Sequence, residues 1–194
     1  MKFIKRFIII LFVIIVVSAV SLGMYGYTLY EEKIEEQPIA DKVSDIENDY
    51  YFVSIDEVPN EYLDAIIAVE DHRFKEHGAI DIIGIGRAIL TNVKNRELQE
   101  GGSTLTQQVA KNLYFISEDT VVRRKIAEMF MAIELENKYS KEDILELYIN
   151  TIYFGDGYYG IKQACNGYLN KEPKDMNLAE ATMMAGVPNA PSVY

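Results

Sequence analysis

The stretch "GGSTLTQQVAKN", residues 101–112, begins with two glycines and continues with five hydroxyl and amide side chains, interrupted by one leucine. Thr104 followed by Gln107 is the pattern of a capping box, in which each side chain accepts a hydrogen bond from the other residue's backbone N–H. The sequence therefore predicts a helix that starts here and runs to about Leu113. A cap alone does not account for the double glycine, the second glutamine or the lysine.

The same stretch has the properties of an anion site. Gly101 and Gly102 let the backbone approach a ligand closely, and the free amides of a helix start favour negative charge. Lys111 adds a positive charge about two turns further on. The side-chain hydrogen-bond donors are Ser103, Thr104, Thr106, Gln107 and Gln108. We expect this helix start to bind a polar, anionic substrate, and an ordinary helix cap is the alternative.

Helical signals continue along the chain from Pro59 onward. Apolar residues recur at helical spacing in "EYLDAIIAVEDHRF" (61–74) and "DIIGIGRAILTNVKN" (81–95). The strongest helix prediction covers Thr120–Tyr139, and its apolar stripe consists of Val122, Ile126, Met129, Phe130 and Ile133.

Two later helices are predicted from further capping boxes. Ser140 with Asp143 starts a helix through Asn150, and Asn177 with Glu180 starts another that stops before Gly186 and Pro188. Because almost no alternating β pattern is present, the sequence predicts a mainly α domain over residues 59–194.

The first 30 residues resemble a membrane anchor. Lys2, Lys5 and Arg6 precede a charge-free run of 24 residues, 7–30, which is enough to cross a hydrocarbon core of about 30 Å as a helix. The flanking cations predict a cytoplasmic N-terminus. A cleaved signal peptide is the alternative, because Ala19-Val20-Ser21 is a small-x-small site.

The charge distribution limits what the rest of the chain can bind. Residues 31–194 carry 16 basic and 30 acidic residues, a net charge of 16 − 30 = −14, which argues against nucleic acid as a partner. Residues 31–58 are charged with little helical periodicity, and we expect a juxtamembrane stalk there. The single Cys165 excludes an internal disulfide and a cysteine zinc cage, and we expect it to be a small core residue.

A candidate catalytic carboxylate lies in "VEDHRFKEHGAID", residues 69–81. Glu70 is on the apolar side of its predicted helix, and desolvation makes a carboxylate a stronger base. The alternative is an ion pair with Arg73 or Arg87. His72 and His77 lie on different helical faces, so no metal site is predicted. We expect the ring of His77 to hydrogen-bond and hold the next loop.

A cationic triplet follows in "VVRRKIAEMF", residues 121–130. Arg123, Arg124 and Lys125 are adjacent, and Arg124 shares a helical face with Glu128 four residues later. Such a cluster suits a pyrophosphate. The alternative is a solvated ion pair on the surface.

These three stretches together resemble the family 51 glycosyltransferases, the peptidoglycan polymerases, and the resemblance runs from about Tyr51 to Tyr194. The family's motifs "ED-x-x-F-x-x-H", "GGST-x-TQQ-x-x-KN" and "RK-x-x-E" match residues 70–77, 101–112 and 124–128. "KEDILELYIN" (141–150), "YFGDGYYGI" (153–161) and "LAEATMMAGVPNAPSVY" (178–194) are similar to its later motifs, in the same order.

The resemblance implies a lysozyme-like helical fold and a reaction. Lipid II would be polymerised into β-1,4 glycan strands with inversion, releasing undecaprenyl pyrophosphate. By motif match Glu70 is the base and Glu128 the second carboxylate, while Lys111, Arg124 and Lys125 face the pyrophosphate. The other substrate-binding residues implied are Asp71, Phe74, His77, Arg87, Gly102, Ser103, Thr104, Gln107, Gln108, Asn112 and Asn150.

The resemblance also sets expectations for cofactors and partners. No cofactor is required, although Mg²⁺ or Mn²⁺ could accompany the pyrophosphate. The partners would be lipid II, the growing glycan chain, the membrane, transpeptidases and other wall-synthesis proteins. We expect a monofunctional enzyme on the outer face of the plasma membrane. A lysozyme-like hydrolase is an alternative that has no use for the cations, and a non-catalytic membrane-anchored partner is another.

Three positions depart from the family pattern. Gly78 precedes Ala79 where the family usually reads His-x-Gly-x-Asp, so we expect an altered loop before Asp81. Thr120 stands where relatives often carry another arginine, which predicts a weaker hold on the pyrophosphate. The sequence ends at Tyr194, where the family normally continues with a basic segment.

Overall fold

The computed structural model describes residues 2–95 and 101–191. Within these ranges the chain forms nine α-helices and no β-strand, and only an isolated bridge joins Tyr153 and Tyr159. The helices are α1 (Lys2–Glu36), α2 (Ile39–Glu47), α3 (Asn60–Glu70), α4 (Ile82–Asn95), α5 (Leu105–Ala110), α6 (Val121–Lys138), α7 (Lys141–Thr151), α8 (Gly160–Ala164) and α9 (Leu178–Gly186). The predicted mainly α fold behind an N-terminal apolar helix is confirmed.

Short turns of other helix types connect these elements. A π-helical turn, Lys111–Phe115, extends α5, and a second, Cys165–Leu169, extends α8. 3₁₀ turns occupy Ile55–Glu57, Pro173–Asp175 and Val187–Asn189. The helix predicted to run from the polar stretch to about Leu113 is therefore present, with its last part in the wider π geometry.

Helix α1 is long and apolar enough to cross a membrane by length and composition. Its most apolar 18-residue window has a mean hydropathy of 3.0, and that window is exposed. Beyond this window the helix continues toward Glu36 and packs along α6, where Gly26 and Leu29 are buried. One helix thus joins the apolar segment to the domain without a break.

The stretch predicted to be a stalk, residues 31–58, is instead largely helical and packed on the domain. Helix α1 extends to Glu36, and α2 buries Ile39 and Val43 in the core. The Tyr114 hydroxyl donates to the Gln37 carbonyl at 3.0 Å. Sequence analysis expected little helical periodicity here, which is wrong for α2, because its few apolar residues recur at helical spacing between charged ones.

The core lies between α3, α5, α7 and α9 and the inner face of α6. Among its fully buried side chains are Tyr62, Ile66, Leu105, Met131, Leu135, Ile144, Tyr148 and Phe154. Cys165 is fully buried, as predicted, and this burial raises the pKa of its thiol to about 12. Burial also raises the pKa of Tyr62 and Tyr148 well above the ordinary value, so both phenols stay protonated.

Helix α6 has two packed faces, and sequence analysis identified the less buried one. The core face consists of Ala127, Glu128, Met131, Ala132 and Leu135. In the predicted stripe, Ile126 and Phe130 contact α1, whereas Val122 and Ile133 are 55% and 43% exposed. The small alanines of the true core face give a weak apolar signal, so the larger side chains facing α1 dominated the pattern.

All three predicted capping boxes are present. They start α5 at Thr104 and Gln107, α7 at Ser140 and Asp143, and α9 at Asn177 and Glu180. Each cap satisfies backbone amides that the helix leaves unpaired and contributes about 1 kcal/mol.

Candidate active site

Glu70 is the last residue of α3 and reaches the wall of a cavity. Its Oε2 accepts a hydrogen bond from Gln108 Nε2 on α5 at 2.9 Å. Its Oε1 is buried and has no hydrogen-bond partner among the described residues. Among the described residues Glu70 forms no ion pair with Arg73 or Arg87, which was the alternative considered from the sequence. A carboxylate with one fixed and one unused oxygen can accept a proton from a bound ligand.

The cavity beside Glu70 measures about 430 Å³. Four predicted site residues contribute to its wall: Glu70, Arg87, Ser103 and Gln108. The Gly101 backbone is also part of the wall, and a Cβ on Gly102 would lie 3.3 Å from Ile85 on α4. The double glycine therefore brings the polar stretch close to α4 as well as to the cavity.

Asp71 and His77 brace the loop between α3 and α4. His77 Nε2 lies 2.7 Å from Asp71 Oδ1, and its Nδ1 lies 2.5 Å from the Gly78 carbonyl. Asp71 Oδ2 accepts the Leu105 amide at 3.0 Å. The expected hydrogen bonding of the His77 ring is present, and it ties this loop to the start of α5.

Asp81 also makes hydrogen bonds that hold the loop between α3 and α4. Its Oδ1 accepts hydrogen bonds from Arg73 Nη2 at 3.2 Å and from the Ile83 amide at 3.0 Å. Burial alone would raise the pKa of the Asp81 carboxyl, but the Gly84 and Ile83 amides and the Arg73 guanidinium hold that pKa below its usual value. At the altered Gly78-Ala79 position, the Thr104 hydroxyl donates to the Ala79 carbonyl at 2.8 Å.

Three potential metal ligands, Asp71, His77 and Asp81, lie close together at this loop. One atom each of Asp71, His77 and Asp81 lies within 4.8 Å of the others. The histidine pair considered from the sequence is not this group, because His72 points instead toward Arg87, with His72 Nε2 3.0 Å from Arg87 Nη1. Asp71, His77 and Asp81 already make the hydrogen bonds described above. We therefore infer that these three residues hold the loop in place.

Glu128 is the second carboxylate, and it is fully buried in α6. Lys125 Nζ lies 2.6 Å from Glu128 Oε2, and Arg124 Nε lies 3.3 Å from Oε1. Lys125 also donates to Ser103 Oγ at 3.0 Å. Because Ser103 lines the cavity, this chain of contacts connects Glu128 with the cavity wall.

The predicted cationic triplet does not act as one cluster. Arg124 and Lys125 face Glu128, but Arg123 points to α1 and donates to the Tyr25 carbonyl at 3.2 Å. Successive residues of an α-helix are turned by about 100°, so three neighbours cannot share one face. Lys111 is exposed on the π-helical turn, and the neighbouring Asn112 has a buried Nδ2 without a hydrogen-bond partner in the described chain.

Four predicted substrate-binding residues are placed elsewhere. Thr104 and Gln107 are buried in the capping box of α5. Phe74 is fully buried beneath Lys141, whose Nζ lies 4.4 Å from the ring centroid. Asn150 binds both the amide and the carbonyl of Val53 at 2.9 Å. Their described contacts support the fold around the cavity.

Sequence analysis missed two polar residues of the cavity wall. His72 was considered only as a metal ligand, and Asn189 was not singled out. Asn189 ends the 3₁₀ turn after α9, next to Pro188. An asparagine beside a proline in one of the matched motifs was the available signal.

One carboxylate, Glu70, lines the cavity, and the second, Glu128, is linked to the cavity wall through Lys125 and Ser103. Carboxylates and cations are residue types that glycosyl transfer can use. A family model described as "Transglycosylase" matches residues 36–194. This chain is 48% identical over 142 residues to "Penicillin-binding protein 1F" of Bacillus subtilis (strain 168), covering 73% of this chain and 20% of that protein.

Relatives in Neisseria give a similar result. "Penicillin-binding protein 1A" of Neisseria flavescens is 48% identical over 143 residues, and that of Neisseria gonorrhoeae is 47% identical over 143 residues, each covering 74% of this chain and 18% of the relative. The chain belongs to the transglycosylase family, which confirms the resemblance found in its motifs. It spans about a fifth of the length of these curated relatives.

Proposed function

We propose that this chain is a peptidoglycan glycosyltransferase of bacterial cell-wall synthesis. It polymerises lipid II into β-1,4 glycan strands, with inversion at the anomeric carbon and release of undecaprenyl pyrophosphate. The observation that carries the proposal is Glu70 Oε1, buried and without a partner among the described residues, beside a cavity lined by Ser103, Gln108 and Arg87.

Glu70 is the general base in this proposal. It accepts the proton of the acceptor's 4-hydroxyl while that oxygen forms a bond to the anomeric carbon of the growing chain. The bond from this carbon to the pyrophosphate oxygen breaks, and its electron pair leaves with the pyrophosphate. The hydrogen bond from Gln108 to Oε2 fixes the carboxylate and leaves Oε1 for the proton. Positioned bases contribute typically about 10²–10⁴-fold to a rate.

Cations near the cavity stabilise the leaving pyrophosphate. Arg124 and Lys125 are oriented by Glu128, and Lys125 also reaches Ser103 on the wall. Lys111 is exposed and can add a further charge-assisted contact. Glu128 thus serves as the second carboxylate by holding two cations at the site. Ser103, Gln108 and Asn112 supply hydrogen bonds to sugars and phosphates.

The proposed location follows from α1. The cations before its apolar segment support a cytoplasmic N-terminus, with the domain on the outer face of the plasma membrane. There the lipid tails of donor and acceptor share one leaflet with α1. Transpeptidases and other wall-synthesis proteins are the proposed partners. The reaction needs no resident cofactor, and a divalent cation bound to the pyrophosphate would add positive charge.

The test is incubation of the full chain, in detergent or vesicles, with purified lipid II. The expected product is a glycan polymer of β-1,4 linkage, formed together with undecaprenyl pyrophosphate. Digestion of finished glycan in place of polymerisation would assign a hydrolase. A folded chain that does neither would contradict the proposal and support a non-catalytic partner.

A further inference from the structure

Helix α6 lies between α1 and the proposed active site. Arg123, Ile126 and Phe130 face α1, whereas Glu128 faces the core beside Arg124 and Lys125. The same helix therefore carries the second carboxylate and the contact surface for α1. We call this contact surface, formed by residues 25–34 of α1 and 123–134 of α6, the α1–α6 joint.

Arg123 holds α1 at several points. Its Nε donates to the Tyr25 carbonyl at 3.2 Å, and its Nη2 donates to Thr28 Oγ1 at 3.3 Å. The same Nη2 lies 3.1 Å from both carboxylate oxygens of Glu32. The guanidinium carbon lies 5.0 Å from the centroid of the Tyr25 ring. A single α6 side chain thus spans about two turns of α1.

The two helices come closest at Gly26. A Cβ there would lie 2.4 Å from Ile126 Cβ and 3.2 Å from the Ala127 amide. Above this contact the Tyr27 and Phe130 rings pack edge to face at 5.2 Å, and the Tyr30 hydroxyl donates to Glu134. No side chain larger than hydrogen fits at Gly26 unless α6 moves.

We propose that α1 is a positioning element of the active site, with Arg123 and Gly26 as its positioning residues. Docking of α1 fixes the position of α6, and through Ala127 it fixes Glu128 and the two cations that Glu128 holds. The N-terminal helix therefore sets catalytic geometry in addition to tethering the domain. This inference rests on the proposed glycosyltransferase activity, because its main readout is turnover.

The first test compares Gly26→Ala with Gly23→Ala in the full chain. A Cβ on Gly23 would meet nothing within 4 Å, and both changes raise helix propensity equally. Gly26→Ala should lower kcat by roughly ten- to a hundredfold with little change in KM, since a misplacement near 1 Å can cost that much. Gly23→Ala should keep the parent kcat.

A charge swap tests Arg123 separately. Arg123→Glu opposes Glu32 and should lower kcat by about two- to fivefold, the range of a partly exposed ion pair. Adding Glu32→Arg should restore part of that loss, and Glu32→Arg alone should reproduce it. Absence of rescue in the double variant would contradict the role of this pair.

Amide hydrogen exchange gives a readout that does not depend on turnover. In Gly26→Ala, amides of α6 should exchange faster than in Gly23→Ala, while those of α9 stay unchanged. If the parent chain fails to polymerise lipid II, the proposed function fails, and the exchange data still decide whether α1 positions α6. If Gly26→Ala matches Gly23→Ala in kcat and in exchange, the positioning role is wrong.

Discussion

The two carboxylates of the proposed site differ in their contacts with cations. Glu70, at the end of α3, has one oxygen held by Gln108 and one buried oxygen without a partner among the described residues. Glu128, in the middle of α6, is fully buried between Arg124 and Lys125. One oxygen of each acid makes no hydrogen bond to the described residues, but that of Glu128 lies 3.3 Å from Arg124, whereas Glu70 has no ion pair among them.

This difference fits the chemical role proposed for Glu70 and the orienting role proposed for Glu128. A carboxylate oxygen with neither a hydrogen bond nor a paired cation can take up a proton without breaking such a contact. A carboxylate bound to two cations cannot, because protonation would leave both cations without their partner. The comparison predicts that the two acids respond differently to the same Glu→Gln change.

The largest effect is expected for Glu70→Gln. The amide keeps the shape of the side chain but cannot accept the acceptor's proton, so turnover of lipid II should fall by about 10²–10⁴-fold. The free energy of unfolding should stay the same or rise slightly, because a neutral group costs less to bury. Turnover and urea denaturation of the same preparation would measure both. A folded variant with near-normal turnover would show that Glu70 is not the base.

Glu128→Gln should affect both rate and stability. Removing its charge releases Arg124 and Lys125, so we expect a loss of about 1–3 kcal/mol in the free energy of unfolding. Turnover should fall by roughly ten- to a hundredfold because the cations lose their orientation. Urea denaturation of Glu128→Gln and Glu70→Gln, measured side by side, tests this difference in the free energy of unfolding. Equal stability of the two variants would remove the distinction between the two acids.

Losses of turnover no larger than that of Glu128→Gln are expected when single cations are removed. Lys111→Ala and Arg124→Ala should each weaken substrate binding and turnover by roughly ten- to a hundredfold, the value of a charge-assisted contact of about 1.5–3 kcal/mol. Kinetics at low lipid II concentration would detect this. Lys174→Ala, which removes an exposed cation outside the cavity wall, is the matched control. Losses equal to that of the control would mean that the cations are ordinary surface charges.

The smallest effect concerns Asp81 and pH. The folded-state pKa of this carboxyl lies below its ordinary value of 3.8. Its ionised form therefore stabilises the fold above that pH, and the contribution is lost as pH falls through the folded pKa. The stability difference between the parent and Asp81→Asn should be full at neutral pH and shrink below about pH 4. Asp119→Asn, at an exposed position, is the control, and a pH-independent difference would contradict the assignment.

Local patterns predicted the helix starts well. The three capping boxes depend on residues three positions apart, so the sequence alone contains both partners. The family resemblance likewise led to Glu70, Ser103, Gln108 and Arg87, which the fold brings to one cavity. The roles assigned to them stay predictions until the variants are measured.

Long-range packing was not predictable in the same way. Asn150 has the chemistry of a ligand-binding amide, but its partner Val53 lies 97 positions away. The face of α6 that meets α1 was predicted as an apolar stripe without a partner, because periodicity shows that a face is apolar and not what covers it. Arg123 was grouped with its neighbours for the same reason, since its contacts are 91 to 98 positions distant.

The reactivity of the buried Cys165 thiol can report how often the core of this protein opens. Its thiol is fully buried, with Met176 Sδ at 3.5 Å, and its pKa is raised to about 12. Only a thiolate reacts readily, so the folded molecule should resist alkylation and oxidation. Because the sequence contains one cysteine, each labelled molecule is one whose core has opened. Brief pulses of a thiol reagent, followed by mass analysis of this chain, would thus count opening events.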